Sequence, residues 1–261
     1  VHIKTIAIAV NYLDLLSYTW DKNQKELEDY TVITDSKDTD THKFCNDNGI
    51  NLFVTDSFYS NNNKFSKSNA LNDFFASLKP EDLNWILLLD ADIVLNNTIS
   101  IIKRHYKNQT LDSIIIPNDI SVGNGIPLYI GSRNKNHVPK LIYNYENKTN
   151  IHGPNDIHIT ECLFSCGREV YENKTDYEFN KFKRENCFFY GYFHLFHVNS
   201  ILDTMKNKKN VFNHYSTAAE YDMDFSRKYW AFLQKKTLNL SVHHLGPIGA
   251  NWTGRKTEKW S

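Results

Sequence analysis

The run Trp85-Ile86-Leu87-Leu88-Leu89 leads into Asp90-Ala91-Asp92, and a second apolar run follows, Ile93-Val94-Leu95. An unbroken apolar run bounded by polar segments reads as a strand buried on both faces, as in a parallel sheet. Carboxylates at the mouth of such a strand cost several kcal/mol unless a cation or strong donors compensate them. On an extended backbone, Asp90 and Asp92 project the same way. Paired carboxylates suit a divalent cation that a phosphate also holds, so the expected metal ligands are Asp90 and Asp92.

The flanking pattern supplies the sheet. Strands are expected over Lys4–Val10, Tyr30–Thr34 and Ile50–Val54, with helices over Leu13–Glu28, Thr41–Asn48 (closed by Gly49), Ser66–Leu78 and Thr98–Tyr106. A further strand is expected at Ser113–Ile116. Alternating strands and helices predict parallel β-α units, hence an α/β, Rossmann-like, mostly parallel sheet flanked by helices. Residues 118–160 are rich in Asn, Gly, Pro and His and give only short strand signals. Beyond them we expect a strand over Glu161–Gly167, a short helix at Arg168–Glu172, amphipathic helices over Tyr192–Lys206 and Glu220–Lys235, and a strand at Leu238–Val242. There is no internal repeat or long linker. The 261 residues therefore read as a single domain with a nucleotide-binding half (1–120) and an irregular second half (121–261).

Composition excludes more than it assigns. Thirty basic residues balance thirty acidic ones, so nothing global advertises nucleic acid or an acidic membrane. The apolar runs are broken by Asp90, Asp92 or Pro117, so no membrane span is expected. The four cysteines, Cys45, Cys162, Cys166 and Cys187, form no C-x-x-C pair and lack the spacing of a structural zinc site. A reducing, cytoplasmic setting is the expectation (a host cytoplasm if the origin is viral).

Ligands in open α/β sheets bind beyond the carboxyl ends of the strands. Val10-Asn11-Tyr12, Thr34-Asp35 and Asp90/Asp92 fall there. Tyr12 could stack on a base and Asp35 could accept from a base or ribose. Lys67 opens a helix through Asn72, and a helix N-terminus with a lysine favours phosphate. Late in the chain comes His243-His244-Leu245-Gly246-Pro247, with Arg255 beyond. Imidazole suits manganese, glycine allows close backbone approach, and arginine pairs with phosphate. His243 and His244 face opposite ways if extended, so at most one is a ligand.

The order Asn11-Tyr12, Thr34-Asp35, Lys67-x-x-Ala70-Leu71-Asn72 and Asp90-Ala91-Asp92 resembles the nucleotide-binding half of GT-A-fold glycosyltransferases of the D-x-D type, over roughly the first 120 residues. The resemblance implies Mn²⁺ or Mg²⁺ on Asp90 and Asp92, with His244 completing the shell. It implies nucleotide-sugar contacts at Val10, Asn11, Tyr12, Asp35, Lys67, Asn72, Asp90, Ala91, Gly246 and Arg255. The implied reaction moves a sugar, with inversion, from a nucleotide diphosphate sugar (a UDP-sugar is expected) to a hydroxyl acceptor such as a glycan. Phe164 to Tyr171 is similar to the family's acceptor-side strand and helix. Where the family carries its usual acidic pair, this chain has Phe193-His194 after Tyr190-Gly191-Tyr192. The base is then His194, Glu161, Asp156 or Asp222. A sugar-nucleotide nucleotidyltransferase and a non-catalytic carbohydrate-binding domain of the same fold are the alternatives. The first of these should carry a Gly-rich basic loop after the first strand, which Asn11-Tyr12-Leu13-Asp14 lacks.

Overall fold

The computed structural model describes residues 2–79, 85–95, 97–107, 128–132, 141–144, 149–152, 155–164, 190–198, 201–219, 221–222, 224–225, 233–245 and 253–255. In the strands between 128 and 164, from 233 to 241, and at His243 and His244, it describes backbone alone. In chain order the elements are β1 (Ile3–Ile8), α1 (Leu13–Asn23), β2 (Asp29–Thr34), α2 (Thr39–Asp47), β3 (Asn51–Val54), a short 3-10 segment (Ser57–Asn62), α3 (Lys67–Ser77), β4 (Trp85–Leu89), β5 (Ile93–Leu95) and α4 (Thr98–Lys107). Then come β6 (Leu128–Ser132), β7 (Leu141–Asn144), β8 (Thr149–His152), β9 (Asn155–Phe164), β10 (Tyr190–His197), α5 (Leu202–Lys206) and β11 (Leu233–His244).

One nine-stranded sheet runs β3-β2-β1-β4-β10-β6-β9-β11-β5, and β7 pairs with β8 separately. The strands from β3 to β4 are parallel; β10 joins β4 antiparallel, with Phe193 opposite Leu89 and His194 opposite Leu88. This is a mixed, Rossmann-like α/β fold with a mostly parallel portion flanked by helices. Strand alternation builds both layers. Ala7, Val32, Leu87, Leu89, Phe193 and Leu195 face one core; Ile6, Ile33, Ile86, Leu88 and Phe196 face the other. Burying a Leu or Ile fully on either face is worth roughly 1.5–3 kcal/mol. These positions therefore fix the register, because a one-residue slip would exchange the two faces.

The helices begin where their caps sit. Asp38 accepts from the Thr41 N–H at 3.3 Å to start α2, and the Ser66 hydroxyl accepts from the Asn69 N–H at 3.2 Å to start α3. Helix α1 stops at Asn23, short of the expected Glu28, because Asn23 turns inward. Its amide donates to the Ile93 carbonyl at 2.7 Å and accepts from the Leu95 N–H at 2.8 Å. A side chain thus supplies the ladder partner that β5 lacks on that edge.

Three expectations are corrected here. Tyr192–Lys206 is not one helix: Tyr190–His197 is strand β10, and only Leu202–Lys206 is helical. An aromatic run buried on both faces carries no period by which to tell strand from helix, and pairing with β4 decides it. Of the helix expected over Glu220–Lys235, the described residues Tyr221, Asp222, Asp224 and Phe225 are helical, and its expected end, Leu233–Lys235, belongs to β11 instead. Asp90-Ala91-Asp92 is a turn, closed by the Ile93 N–H on the Asp90 carbonyl at 3.2 Å, and not an extended continuation of β4. The expected strand at Ser113–Ile116 and helix at Arg168–Glu172 lie outside the described residues.

Replacing Asn23 by Leu removes both bonds to β5 and strands two buried backbone groups. Urea unfolding should show a loss of about 2–4 kcal/mol. Cys45 is fully buried, and burial, with the charge of Asp38 second, pushes its thiol up to about 11. The unfolded thiol ionises near about 8.5, so stability is constant below that and falls as pH rises toward the folded value. Cys45 in the native protein should resist thiol reagents at pH 8, and stability should fall from about pH 9. Cys45→Ala should move the onset of that fall upward, toward the range where the buried tyrosines ionise once the chain unfolds.

Candidate functional site

The turn Asp90-Ala91-Asp92 is held from three directions. The Thr19 hydroxyl of α1 donates to the Ala91 carbonyl at 2.8 Å. The Leu245 N–H, just past β11, donates to the Asp92 carbonyl at 2.8 Å. The Lys67 ammonium, at the start of α3, donates to Asp90 Oδ1 at 3.0 Å. Asp92 is buried, and the Asp90 and Lys67 side chains are about one-fifth exposed (23% and 20%). Among the described residues nothing else hydrogen-bonds to the Asp90 carboxylate.

Electrostatics bind this cluster together. Burial opposes the charge on Lys67, but Asp90, with Tyr221 and Tyr12 behind it, outweighs burial and holds the ammonium well above its ordinary range. The phenol of Tyr12 is pushed up by burial and then by Asp92, against the pull of Lys67. Burial likewise raises Tyr221, which Lys67 lowers and Asp90 raises. Tyr12, Lys67, Asp90, Asp92 and Tyr221 therefore share one pocket of charge at the carboxyl end of β4. Tyr221 is buried beside Phe212, their ring centroids 5.9 Å apart.

The other expected residues distribute as follows. Val10 is buried in the core, so only its backbone reaches the strand end. Asn11 adopts a left-handed backbone (φ 58°), and its N–H donates to Asp38 Oδ2 at 2.7 Å. Asp35 Oδ1 accepts from the Lys37 and Asp38 N–H groups at 3.0 and 2.9 Å, and its contact with the Tyr59 hydroxyl, after burial, raises that phenol to about 12. Asp35 thus builds the loop after β2. Asn72 clamps the backbone of Phe212 with both ends of its amide, each at 2.9 Å. The neighbouring Ser68 hydroxyl accepts from the Tyr215 N–H at 3.1 Å, so α3 seats the segment that carries Tyr221.

Arg255 returns to the first loop. It pairs with Asp14 through both terminal nitrogens, donates to the Asn11 carbonyl at 3.1 Å, and lies 4.6 Å over the Tyr12 ring. His194 is buried at 1% exposure beside Phe225, with ring centroids 6.2 Å apart. Its neighbour Phe193 faces the opposite core. The side chains of Glu161, Asp156 and His244, and all of Gly246, lie outside the described residues. The backbone of β11 places His244 opposite Ile93, next to the Leu245 that bonds to Asp92. Sequence reasoning missed Thr19, Asp14 and Tyr221. Asp14 lay two residues from a flagged tyrosine, and Tyr221 lay beside Asp222, itself a candidate base.

Among the described residues, no three His, Cys, Asp or Glu side chains gather into a metal site. The donor chemistry of Asp90 and Asp92, two carboxylates on one turn, fits a hard divalent cation whose remaining ligands come from a phosphate. Lys67 meets the same requirement from the other side, as a second positive charge against Asp90. Among the described residues no helix is long and apolar enough to cross a membrane.

No protein-family model matches this chain, and no curated protein matches it. Among solved structures it is similar to the crystal structure of 4-diphosphocytidyl-2C-methyl-D-erythritol synthase from Anaerococcus prevotii DSM 20548. The TM-score is 0.38 at 10% identity, covering 78% of this chain and 75% of that chain. A likeness of that size carries no argument about activity, and the fold described above rests on its own strand order.

The sign of the Lys67 shift gives a test. A raised ammonium pKa means that the ion pair contributes fully below the unfolded value near about 10.4 and is lost only above it. Lys67→Met should cost about 1–3 kcal/mol in urea unfolding, and the Lys67 contribution should stay flat from about pH 7 to 10.

Proposed function

We propose that this chain is a divalent-metal-dependent transferase acting on a nucleotide diphosphate sugar, and that it moves the sugar to a hydroxyl acceptor. The observation that supports this reading is the Asp90-Ala91-Asp92 turn at the carboxyl end of a central parallel strand, with the Lys67 ammonium on Asp90. Asp90 and Asp92 would hold Mn²⁺ or Mg²⁺, with His244 as the expected third protein ligand. The bound cation would supply neutralisation of charge on the leaving diphosphate. Lys67 adds a fixed positive charge at the same place, and its raised pKa keeps it charged throughout the working pH range. Tyr12 forms a wall of the site beside Asp92. With His194 in the core, the general base of an inverting reaction falls to Glu161, Asp156 or Asp222.

The second reading is nucleotidyl transfer. Against it, Val10-Asn11-Tyr12-Leu13 contains no glycine, and the Asn11 N–H is engaged by Asp38 instead of facing a phosphate. The third reading, carbohydrate binding without turnover, predicts sugar affinity that ignores metal.

Thermal unfolding with UDP-, GDP-, CMP- and dTDP-sugars, in Mn²⁺ and in EDTA, tests the site. At about 100-fold excess over Kd, one donor class should raise the midpoint by roughly 5–10 °C in Mn²⁺ only, and Asp92→Ala should abolish the shift. Release of a nucleoside diphosphate then supports glycosyl transfer, whereas release of pyrophosphate moves the assignment to nucleotidyl transfer. No metal-dependent shift with any donor would sink both.

A further inference from the structure

Arg255 has the side chain of a phosphate ligand and the surroundings of a structural clasp. Its side chain is 4% exposed, and that of Asp14, its partner, is 12% exposed. The fork meets both carboxylate oxygens of Asp14, a bidentate geometry that lysine does not reproduce. One nitrogen also donates to the carbonyl of Asn11, the residue whose left-handed backbone turns the chain from β1 into α1. The plane of charge lies over Tyr12 at 4.6 Å, within cation–π range. Tyr12 is further packed against Leu15 and Leu245. Leu245 is the residue whose N–H bonds to Asp92. Asn11, Tyr12 and Asp14 are therefore fixed by a residue some 240 positions later, and Tyr12 borders the Asp90/Asp92 turn. Withdrawing Arg255 to reach a phosphate would leave the Asp14 carboxylate buried without its counter-charge, a costly exchange.

We propose that Arg255 is a positioning residue for the candidate nucleotide site: it clasps Asp14 and Asn11 and lies over Tyr12, so fixing the wall that Tyr12 forms, and it is not itself a phosphate ligand. This rests on the nucleotide-site reading above. The two roles separate cleanly. A phosphate ligand would tolerate loss of Asp14, which would free its guanidinium, and would be partly replaced by lysine. A clasp fails equally when either partner is lost, and lysine does not restore the fork.

The test is a double-mutant cycle on ligand affinity. The probe is whichever of the uridine, guanosine, cytidine and thymidine diphosphates gives the largest Mn²⁺-dependent stabilisation of the full chain. Its Kd is measured by calorimetry in Mn²⁺, at a temperature where circular dichroism shows each variant folded. Asp14→Asn, Arg255→Lys and Arg255→Ala should each weaken binding by about tenfold. The Asp14→Asn/Arg255→Ala double variant should be no weaker than Arg255→Ala alone. Tyr12→Ala should weaken binding to a similar extent, and adding Arg255→Ala to it should change little. If wild type binds while Asp14→Asn matches or exceeds it, and Arg255→Ala alone loses affinity, Arg255 is a phosphate ligand and the proposal falls. If all four single variants bind as wild type does, the clasp has no role at the site and the proposal falls as well. A wild type that binds none of the four diphosphates overturns the proposed function together with this inference.

Discussion

Two carboxylates end a strand that is covered on both faces, and their charge must be compensated without water. Lys67 takes Asp90 directly, and its ammonium is held charged by the same carboxylate that it neutralises. Contacts to the backbone do the rest: the Thr19 hydroxyl, the Leu245 N–H and the Asn23 amide fix the carbonyls and strand that surround Asp92. Without these contacts the turn's carbonyls would lose their donors, each at a cost of about 1–3 kcal/mol. The positions of α1, α3 and the end of β11 all follow from this requirement.

The arrangement also explains why polar residues near the strand ends divide into two groups. Asp35, Asp38 and Asn72 are engaged with backbone groups and shape loops. Lys67, Asp90, Asp92, Tyr12 and Tyr221 face one another and shape a field. The first group makes the second possible. Asp38 fixes the turn that presents Tyr12, and Asn72 fixes Phe212, against which Tyr221 packs.

The parallel half was legible because its strands are short, largely apolar runs between polar segments, and α2 and α3 have caps that sequence can display, Asp38 and Ser66. The D-x-D turn was legible in identity but not in conformation, since two aspartates after a strand read equally as extended or turned. Strand β10 was misread because Phe193, His194, Leu195 and Phe196 are all buried, and a run without polar positions has no period. His194 looked like a candidate base for the same reason: sequence gives a histidine its chemistry but not its depth. The roles of Tyr221 and of the Arg255–Asp14 pair were illegible because Lys67 and Asp90 lie more than 130 positions from Tyr221, and Asp14 lies 241 from Arg255.

Strand β5 leaves the turn three residues after β4, yet its ladder partner is β11, whose first residue is Leu233. The sheet therefore takes in β5 only when β11 returns to it. During synthesis, β1 to β4 can pair as they emerge, while Asp92 waits for Leu245. Contacts of such wide sequence separation form late and slowly. The order of assembly thus leaves the charged turn incomplete until β11 has emerged, long after the parallel strands beside it have paired.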